Sequence, residues 1–238
     1  MRTFVQATTT AVATAYSTLS ADVGVEFMQH LTKYGKSYIT VEEFELRREL
    51  FAATDAMIKE HNATDSLFTM GHNRFSDMTD FEKELQKGFT PSPTRDVDVE
   101  EMVYDEGDVP ASWDWRDHNA VTPVKDQGNC GSCWTFSATG ALEGAHAIKS
   151  SELVSFSEQL ISDCLHPDMW WMSCQLGGDE VEGMKYFKDH FIMTEDAYPY
   201  KGKNEKCKYN KDKATNIQVA SVHKGGFDRP DQMKAALA

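Results

Sequence analysis

Residues 127–134 read QGNCGSCW, and the reading of this octapeptide decides the fold. It follows a loop, AVTPVKD at 120–126, and precedes an apolar run, TFSATGALEGAHAI at 135–148. The run is helix-compatible, with Trp134, Ala138, Ala141 and Ala145 on neighbouring turns. Cys133 therefore falls at a helix N-terminus, where free N–H groups and the macrodipole stabilise negative charge on sulfur. A thiolate is the nucleophilic form, so the position suits a catalytic cysteine. Gln127, six residues upstream, carries an amide able to donate to an oxyanion forming beside that sulfur.

Other readings of the same octapeptide compete. C-x-x-C at a helix start is also the thioredoxin redox arrangement, but that motif directly follows a strand, which the loop at 120–126 does not supply. It is also half of a zinc ribbon, with Cys164 and Cys174 as the other half, although ribbons repeat the short spacing. A buried structural cysteine is the third alternative, and the crowding glycines argue against it. All five cysteines lie between Cys130 and Cys207. Four bridged and one free is one reading of the odd number; a metal site is another.

The chain of 238 residues holds 24 basic and 38 acidic side chains, for a net charge of −14. One or two domains fit that length. A hydrophobic content of 40% supports a core and excludes wholesale disorder. The acidic balance excludes a nucleic-acid binder, and no apolar run is long enough to span a membrane. Residues 1–21 hold one charge, Arg2, and an Ala/Thr/Val-rich run. They read as a secretory signal peptide, the alternatives being a disordered tail or a misassigned start codon.

Residues 22–107 carry 19 acidic and 9 basic residues, most of the net charge. Thr40 and Glu43 form a capping box that opens a helix running to Asn62. Glu43, Arg47, Phe51, Thr54, Ile58 and Asn62 fall on one stripe of it. GHNRFSD follows, where Gly71, Asn73, Phe75 and Asp77 alternate with period two and predict an extended segment. Thr79 and Glu82 open a short helix ending near Gly88, and residues 89–107 read as an exposed, cleavable linker.

With these residues in view, the stretch 110–200 resembles the papain family of cysteine peptidases, cathepsin L-like branch. The similarity is carried by PASWDWRDHNAVTPVKDQGNCGSCWTFSATGALEG, LVSFSEQLISDC and AYPYKG. The 22–88 block resembles that branch's inhibitory prosegment. Its helix matches the interspersed Glu-Arg-Phe-Asn-Ile-Asn pattern at Glu43, Arg47, Phe51, Ile58 and Asn62, with Thr54 in place of Asn. The Gly-x-Asn-x-Phe-x-Asp pattern is complete at Gly71, Asn73, Phe75 and Asp77.

The resemblance implies Cys133 as nucleophile, Gln127 and the Cys133 N–H as oxyanion hole, and Trp134 packed behind the sulfur. Gly131, Ser132 and Trp134 would line the substrate cleft, and Gly177 and Gly178 would pair with an extended peptide. One residue more than usual precedes that glycine pair, since both Gln175 and Leu176 intervene. Asp179 and Glu180 then fall where the family lines specificity pockets, the alternative being that they cap a helix. It implies the bridges Cys130–Cys174 and Cys164–Cys207. It implies no metal and no cofactor.

The family's base is a histidine oriented by an asparagine in a β-rich half. Of the four histidines after Cys133, namely His146, His166, His190 and His223, none sits in a segment resembling the base's surroundings. The expected fold is therefore α+β and papain-like: residues 22–88 a helical inhibitory prosegment, 89–107 a linker, and 108–238 the α-rich left half of a peptidase domain, the right β-rich half largely absent. Helices are expected at 133–148, after a Ser155/Glu158 capping box, from near Gly178, and from Asp228 as N-cap. The implied function is a cysteine endopeptidase zymogen, inactive as 1–238. An inhibitor or decoy of papain-like peptidases, or a gene fragment, is the alternative. Expected partners are extended peptide substrates and the chain's own prosegment, with no nucleic acid and no membrane span. The expected state is a monomer in the lysosome, vacuole or extracellular space.

Overall fold

The computed structural model describes residues 21–105, 107, 109–224 and 229–237. The N-terminal leader and Asp228 as a cap lie outside the described residues. The chain divides into two compact units between Glu84 and Leu85. The segment 85–107 thus belongs with the second unit.

In the first unit, α1 (Ala21–Tyr34) packs on α2 (Val41–Asn62), and a short α3 (Asp80–Leu85) follows. The Thr40 hydroxyl accepts from Glu43 N at 3.2 Å and starts α2 where the capping signal places it. The core is aromatic. Phe27 and Phe51 are buried with Val23 and Leu31, and their rings lie 5.5 Å apart. Burying each such side chain contributes about 1.5–3 kcal/mol.

Residues 71–77 are not extended, contrary to the alternating pattern. Asn73 Oδ1 accepts from Phe75 N, and Asn73 O accepts from Ser76 N, so the chain folds into successive turns. An asparagine that hydrogen-bonds its own backbone two residues on competes with any strand. The next signal is complete: Thr79 Oγ1 accepts from Glu82 N (3.2 Å) while Glu82 Oε2 accepts from Thr79 N (2.8 Å). That helix ends at Leu85, three residues before Gly88.

The second unit centres on α4 (Cys133–Ser150), packed by α5 (Glu158–Cys164) and α7 (Glu180–Asp189). A 3-10 turn (Pro167–Met172) and a single-turn α6 (Ser173–Leu176) precede α7. The cap of α5 is Ser157, whose hydroxyl accepts from Leu160 N at 3.0 Å, rather than Ser155. Ser155 stays outside the helix because residues 155–157 pair with 193–195: Glu195 N donates to Ser155 O (2.9 Å) and Ser157 N to Met193 O (3.1 Å), around a bridge between Phe156 and Thr194. Trp134, Ala138, Phe156, Leu160, Ile161, Phe187 and Met193 fill the core. A final helix, α8, covers Pro230–Leu237.

Among the described residues the strands are β1 (Val99–Glu101) and β2 (Val222–Lys224), paired in parallel with Val99 opposite Val222. The segment 89–107, expected as an exposed, cleavable linker, is anchored there and at a bridge between Phe89 and Gly178. Tyr104 adds a third anchor, its N–H donating to Gln232 Oε1 and its carbonyl accepting from Gln232 Nε2.

Candidate active site

Cys133 is the first residue of α4 and the free thiol; Cys130 is bridged to Cys174 and Cys164 to Cys207. The bridges pair as the resemblance implies. Each closes a loop spanning more than forty residues, a constraint worth ~2–4 kcal/mol. The first also pins the octapeptide to the turn before the glycine pair, where Gly131 N donates to Cys174 O at 3.0 Å.

The residues around the sulfur are fixed by polar contacts. Ser132 is fully buried, and its hydroxyl is 2.5 Å from Tyr200 Oη. Tyr200 in turn donates to Gln127 O at 2.8 Å, tying the Gln127 loop to the turn that carries Cys133. Gln127 Nε2 donates to Cys130 O (2.8 Å) and to Gln86 O (2.9 Å). Its amide thus already holds a peptide carbonyl. Trp134 is buried behind the cysteine, against Gly178. A Cβ on Gly178 would meet the indole at 2.7 Å, so only glycine fits this approach.

The segment 86–90 crosses this surface. Gly88 N–H donates to Cys133 Sγ at 3.2 Å. Gly178 N donates to Gly88 O (2.8 Å) and Thr90 N donates to Gly178 O (2.9 Å), the two bonds of a parallel bridge. Gly177 has φ 65°, and a Cβ there would meet Gly88 O at 2.0 Å. The single turn of α6 absorbs Gln175 and Leu176 before Gly177. Asp179 caps α7 by accepting from Val181 N (2.9 Å), and it also accepts from Ser92 N and Arg95. Burial pushes the Asp179 carboxyl up, and these bonds outweigh it, leaving it below the usual carboxylate range.

A cavity of about 300 Å³ opens beside Cys133, with Gln127, Phe136 and Gly140 in its wall. Its floor is ionic. Lys125 Nζ lies 2.6 Å from Glu143 Oε1 and 2.7 Å from Glu158 Oε1, and both carboxylates are almost fully buried. Burial works against the Lys125 ammonium, but the two carboxylates more than compensate and raise it. This network escaped the sequence reading, because its members lie 18 and 33 residues apart.

None of the histidines with described contacts after Cys133 bonds to its sulfur. His146 Nε2 is 3.2 Å from Ser150 Oγ, His190 stacks on Tyr186 at 4.0 Å, and His223 Nε2 is 2.6 Å from Ser221 Oγ.

In the first unit the prosegment motif residues converge. Asp77 is fully buried and accepts from Tyr38 Oη (2.6 Å) and from Lys36. Burial raises the Asp77 carboxyl, and the bonds from Lys36 and Tyr38 overcome this and hold it low. His30 Nε2 lies 3.3 Å from Asp77 Oδ1, without hydrogen-bond alignment, and burial lowers its proton affinity. Arg47 reaches Glu43 at 3.3 Å as the helix spacing suggests. Its stronger partner is Glu82, gripped through both terminal nitrogens and held at about 2 by that guanidinium. Phe51 and Ile58 are buried; Asn62 faces solvent but clamps Met70, taking its N–H at 2.7 Å and giving to its carbonyl at 2.8 Å. Phe75 lies in the turn at 74–77, and Gly71 precedes it. Glu26, Asp55 and His72 bring ligand-type atoms within 4.8 Å of one another, and Lys59 Nζ sits 2.7 Å from Asp55 there.

Family models match this arrangement in two places: the papain family cysteine protease at residues 109–238, and the cathepsin propeptide inhibitor domain at 27–82. The chain belongs to the papain family of cysteine proteases. This papain-family chain is 41% identical to pro-cathepsin H of Bos taurus over 79% of its length and 54% of that protein's. It is 39% identical to digestive cysteine proteinase 2 of Homarus americanus, over 75% of the chain and 56% of the relative. Among solved structures, digestive procathepsin L 3 of the Tenebrio molitor larval midgut superposes with a TM-score of 0.75 at 30% identity. It covers 92% of this chain and 71% of that one. The recombinant stem bromelain precursor gives 0.67 at 28% identity, covering 83% of this chain and 63% of that one. The chain spans 54–61% of the length of the curated relatives it matches. No described helix is long and apolar enough to cross a membrane.

Proposed function

We propose that Cys133 is the nucleophile of a peptide-bond hydrolysis that passes through a thioester, held silent in the precursor by the segment 86–90. Attack places the substrate carbonyl carbon on sulfur, and the oxygen gains charge as the tetrahedral intermediate forms. Gln127 Nε2 and the Cys133 N–H are the donors for that oxygen. The observation that carries the reading is the occupancy of both partners. Gln127 Nε2 holds the Gln86 carbonyl while the Gly88 N–H faces Sγ. An N–H offers the sulfur no electrophilic carbon, so a segment seated this way is retained uncut.

Hydrolysis needs a group that protonates the leaving amine and then activates water. The occupied rings of His146, His190 and His223 support the reading that residues 1–238 alone supply no such group. Two disulfides favour an oxidising compartment, which agrees with a lysosomal, vacuolar or secreted protein. The working unit is taken as a monomer acting on extended peptides.

Labelling with an epoxide-bearing peptide, followed by peptide mapping, tests the nucleophile. The adduct is expected on Cys133 and absent in Cys133→Ala. Hydrolysis of a fluorogenic peptide by purified residues 1–238, abolished by Cys133→Ala, would show that the base lies within this chain.

A further inference from the structure

The two carboxylates after the glycine pair do different work. Asp179 caps α7; Glu180 makes no capping bond among the described contacts, and its partner is Arg95. Arg95 Nη1 donates to Asp179 Oδ1 at 2.8 Å and Nη2 to Glu180 Oε1 at 2.6 Å, so one planar guanidinium spans both carboxylates. The arginine's backbone is fixed as well: Lys185 Nζ donates to Thr94 O (2.7 Å) and to Arg95 O (2.9 Å).

The position of that guanidinium matters. Phe89 is the residue whose flanking peptide groups pair with Gly178. The Arg95 guanidinium carbon lies 5.3 Å from the centre of the Phe89 ring. A cation held by Asp179 and Glu180 therefore sits beside the side chain of whatever segment is docked on Gly178. While Arg95 is in place the Asp179 side chain is 1% exposed and that of Glu180 21%. Departure of residues 92–95 removes both the guanidinium and the Ser92 N–H from Asp179. It leaves two close carboxylates with one helix N–H between them, a site that strongly favours a new cation.

We propose that this pair is a recognition site for a basic side chain of the peptide docked on Gly178, with Arg95 as its internal occupant in the precursor. The proposal rests on the cysteine-peptidase reading above. Arginine is preferred to lysine, because the two carboxylates are spaced to receive the two terminal nitrogens of one guanidinium.

The test uses residues 1–238 carrying Arg95→Ala together with Gly88→Ala, so that the guanidinium is removed and the segment 86–90 is lifted from Cys133 and Gly178. Two acetyl-dipeptidyl chloromethyl ketones are compared, identical except for arginine or norleucine at the residue second from the reactive carbon. Labelling of Cys133 is followed by mass spectrometry, each rate divided by the iodoacetamide rate of the same variant. The arginine probe is expected to react about tenfold faster than the norleucine probe, with a lysine probe between them. Adding Glu180→Gln, which preserves side-chain shape, brings the arginine-to-norleucine ratio towards one. A ratio of one or below in Arg95→Ala with Gly88→Ala, with normal iodoacetamide labelling, overturns the recognition site and leaves the nucleophile standing. Failure of iodoacetamide to label Cys133 overturns both.

Discussion

The backbone N–H of Gly88 lies 3.2 Å from Cys133 Sγ, and the Gly88 Cα is pressed so close to Gly131 that a Cβ would meet its carbonyl oxygen at 1.7 Å. The Cys133 thiol is covered by a residue that has no side chain to spare.

Gly88→Ala is therefore expected to lift the segment off the sulfur. An overpacked contact of this kind costs about 1–3 kcal/mol. Iodoacetamide labelling of Cys133 should rise roughly tenfold at a cost of about 1.4 kcal/mol. Gly71→Ala, where a Cβ meets nothing within 4 Å, is the control. Equal labelling in the two variants would show that Gly88 does not cover the thiol.

Acid should loosen the first unit in two stages. His30 is held below its ordinary 6.5 by burial, so the unfolded chain takes up its proton first and stability falls as pH drops below about 6.5. Asp77, Lys36 and His72 are the charged or titratable groups acting on it. Glu82, bound to Arg47, is held at about 2 against an ordinary 4.5; its contribution is full above 4.5 and is lost as pH falls towards 2. Hydrogen exchange of α1 and α2 amides in the whole chain reads both stages. His30→Phe should abolish the first and spare the second; an unchanged profile above pH 5 would rule His30 out.

Asp163, in the second unit, should contribute with the opposite sign. Asp163 is fully buried, and burial pushes its carboxyl up to about 6 despite bonds from Gln159 and Tyr198. The folded chain holds that proton more tightly than the unfolded one. The stabilisation is full below about 3.8 and is lost as pH rises to about 6. The urea midpoint of wild type relative to Asp163→Asn should decline between pH 4 and pH 6, followed by tryptophan fluorescence. A constant difference would place the Asp163 proton elsewhere.

Lys125→Met should cost ~3–5 kcal/mol, because it leaves Glu143 and Glu158 buried without their shared cation. Denaturant unfolding measures it. The double variant Lys125→Met with Glu158→Gln should recover part of the loss. A loss below about 1 kcal/mol would mean that water already solvates the pair.

Local signals were legible in the sequence and long-range ones were not. Thr40 and the Thr79/Glu82 pair lie within three residues of the N–H groups they serve, so their capping chemistry is written in adjacent letters. The nucleophile's helix start was legible for the same reason. Where two local solutions compete, pattern alone misleads. Asn73 chose its own backbone over a strand, and Ser157 rather than Ser155 capped α5 because residues 155–157 pair with 193–195. Arg47 was paired with Glu43 by spacing, yet Glu82, 35 residues away, grips it better. The anchoring of 89–104 depends on Gly178, Val222 and Gln232, up to 128 residues distant, and no composition reports that.

The pairing of Val99–Glu101 with Val222–Lys224 has a bearing on solubility. Among the described residues β2 pairs with β1 alone, so it exposes its backbone donors and acceptors as soon as β1 is gone. Cutting the segment 89–107 therefore frees a strand edge at 222–224. A nicked form that has not re-covered this edge is a template for association with other copies of itself. In the uncut precursor the acidic stretch Asp96–Glu101 shields it, with Asp96 3.2 Å from Lys224 and Glu100 3.6 Å from His223. The stretch that follows the segment over Cys133 thus also guards against aggregation.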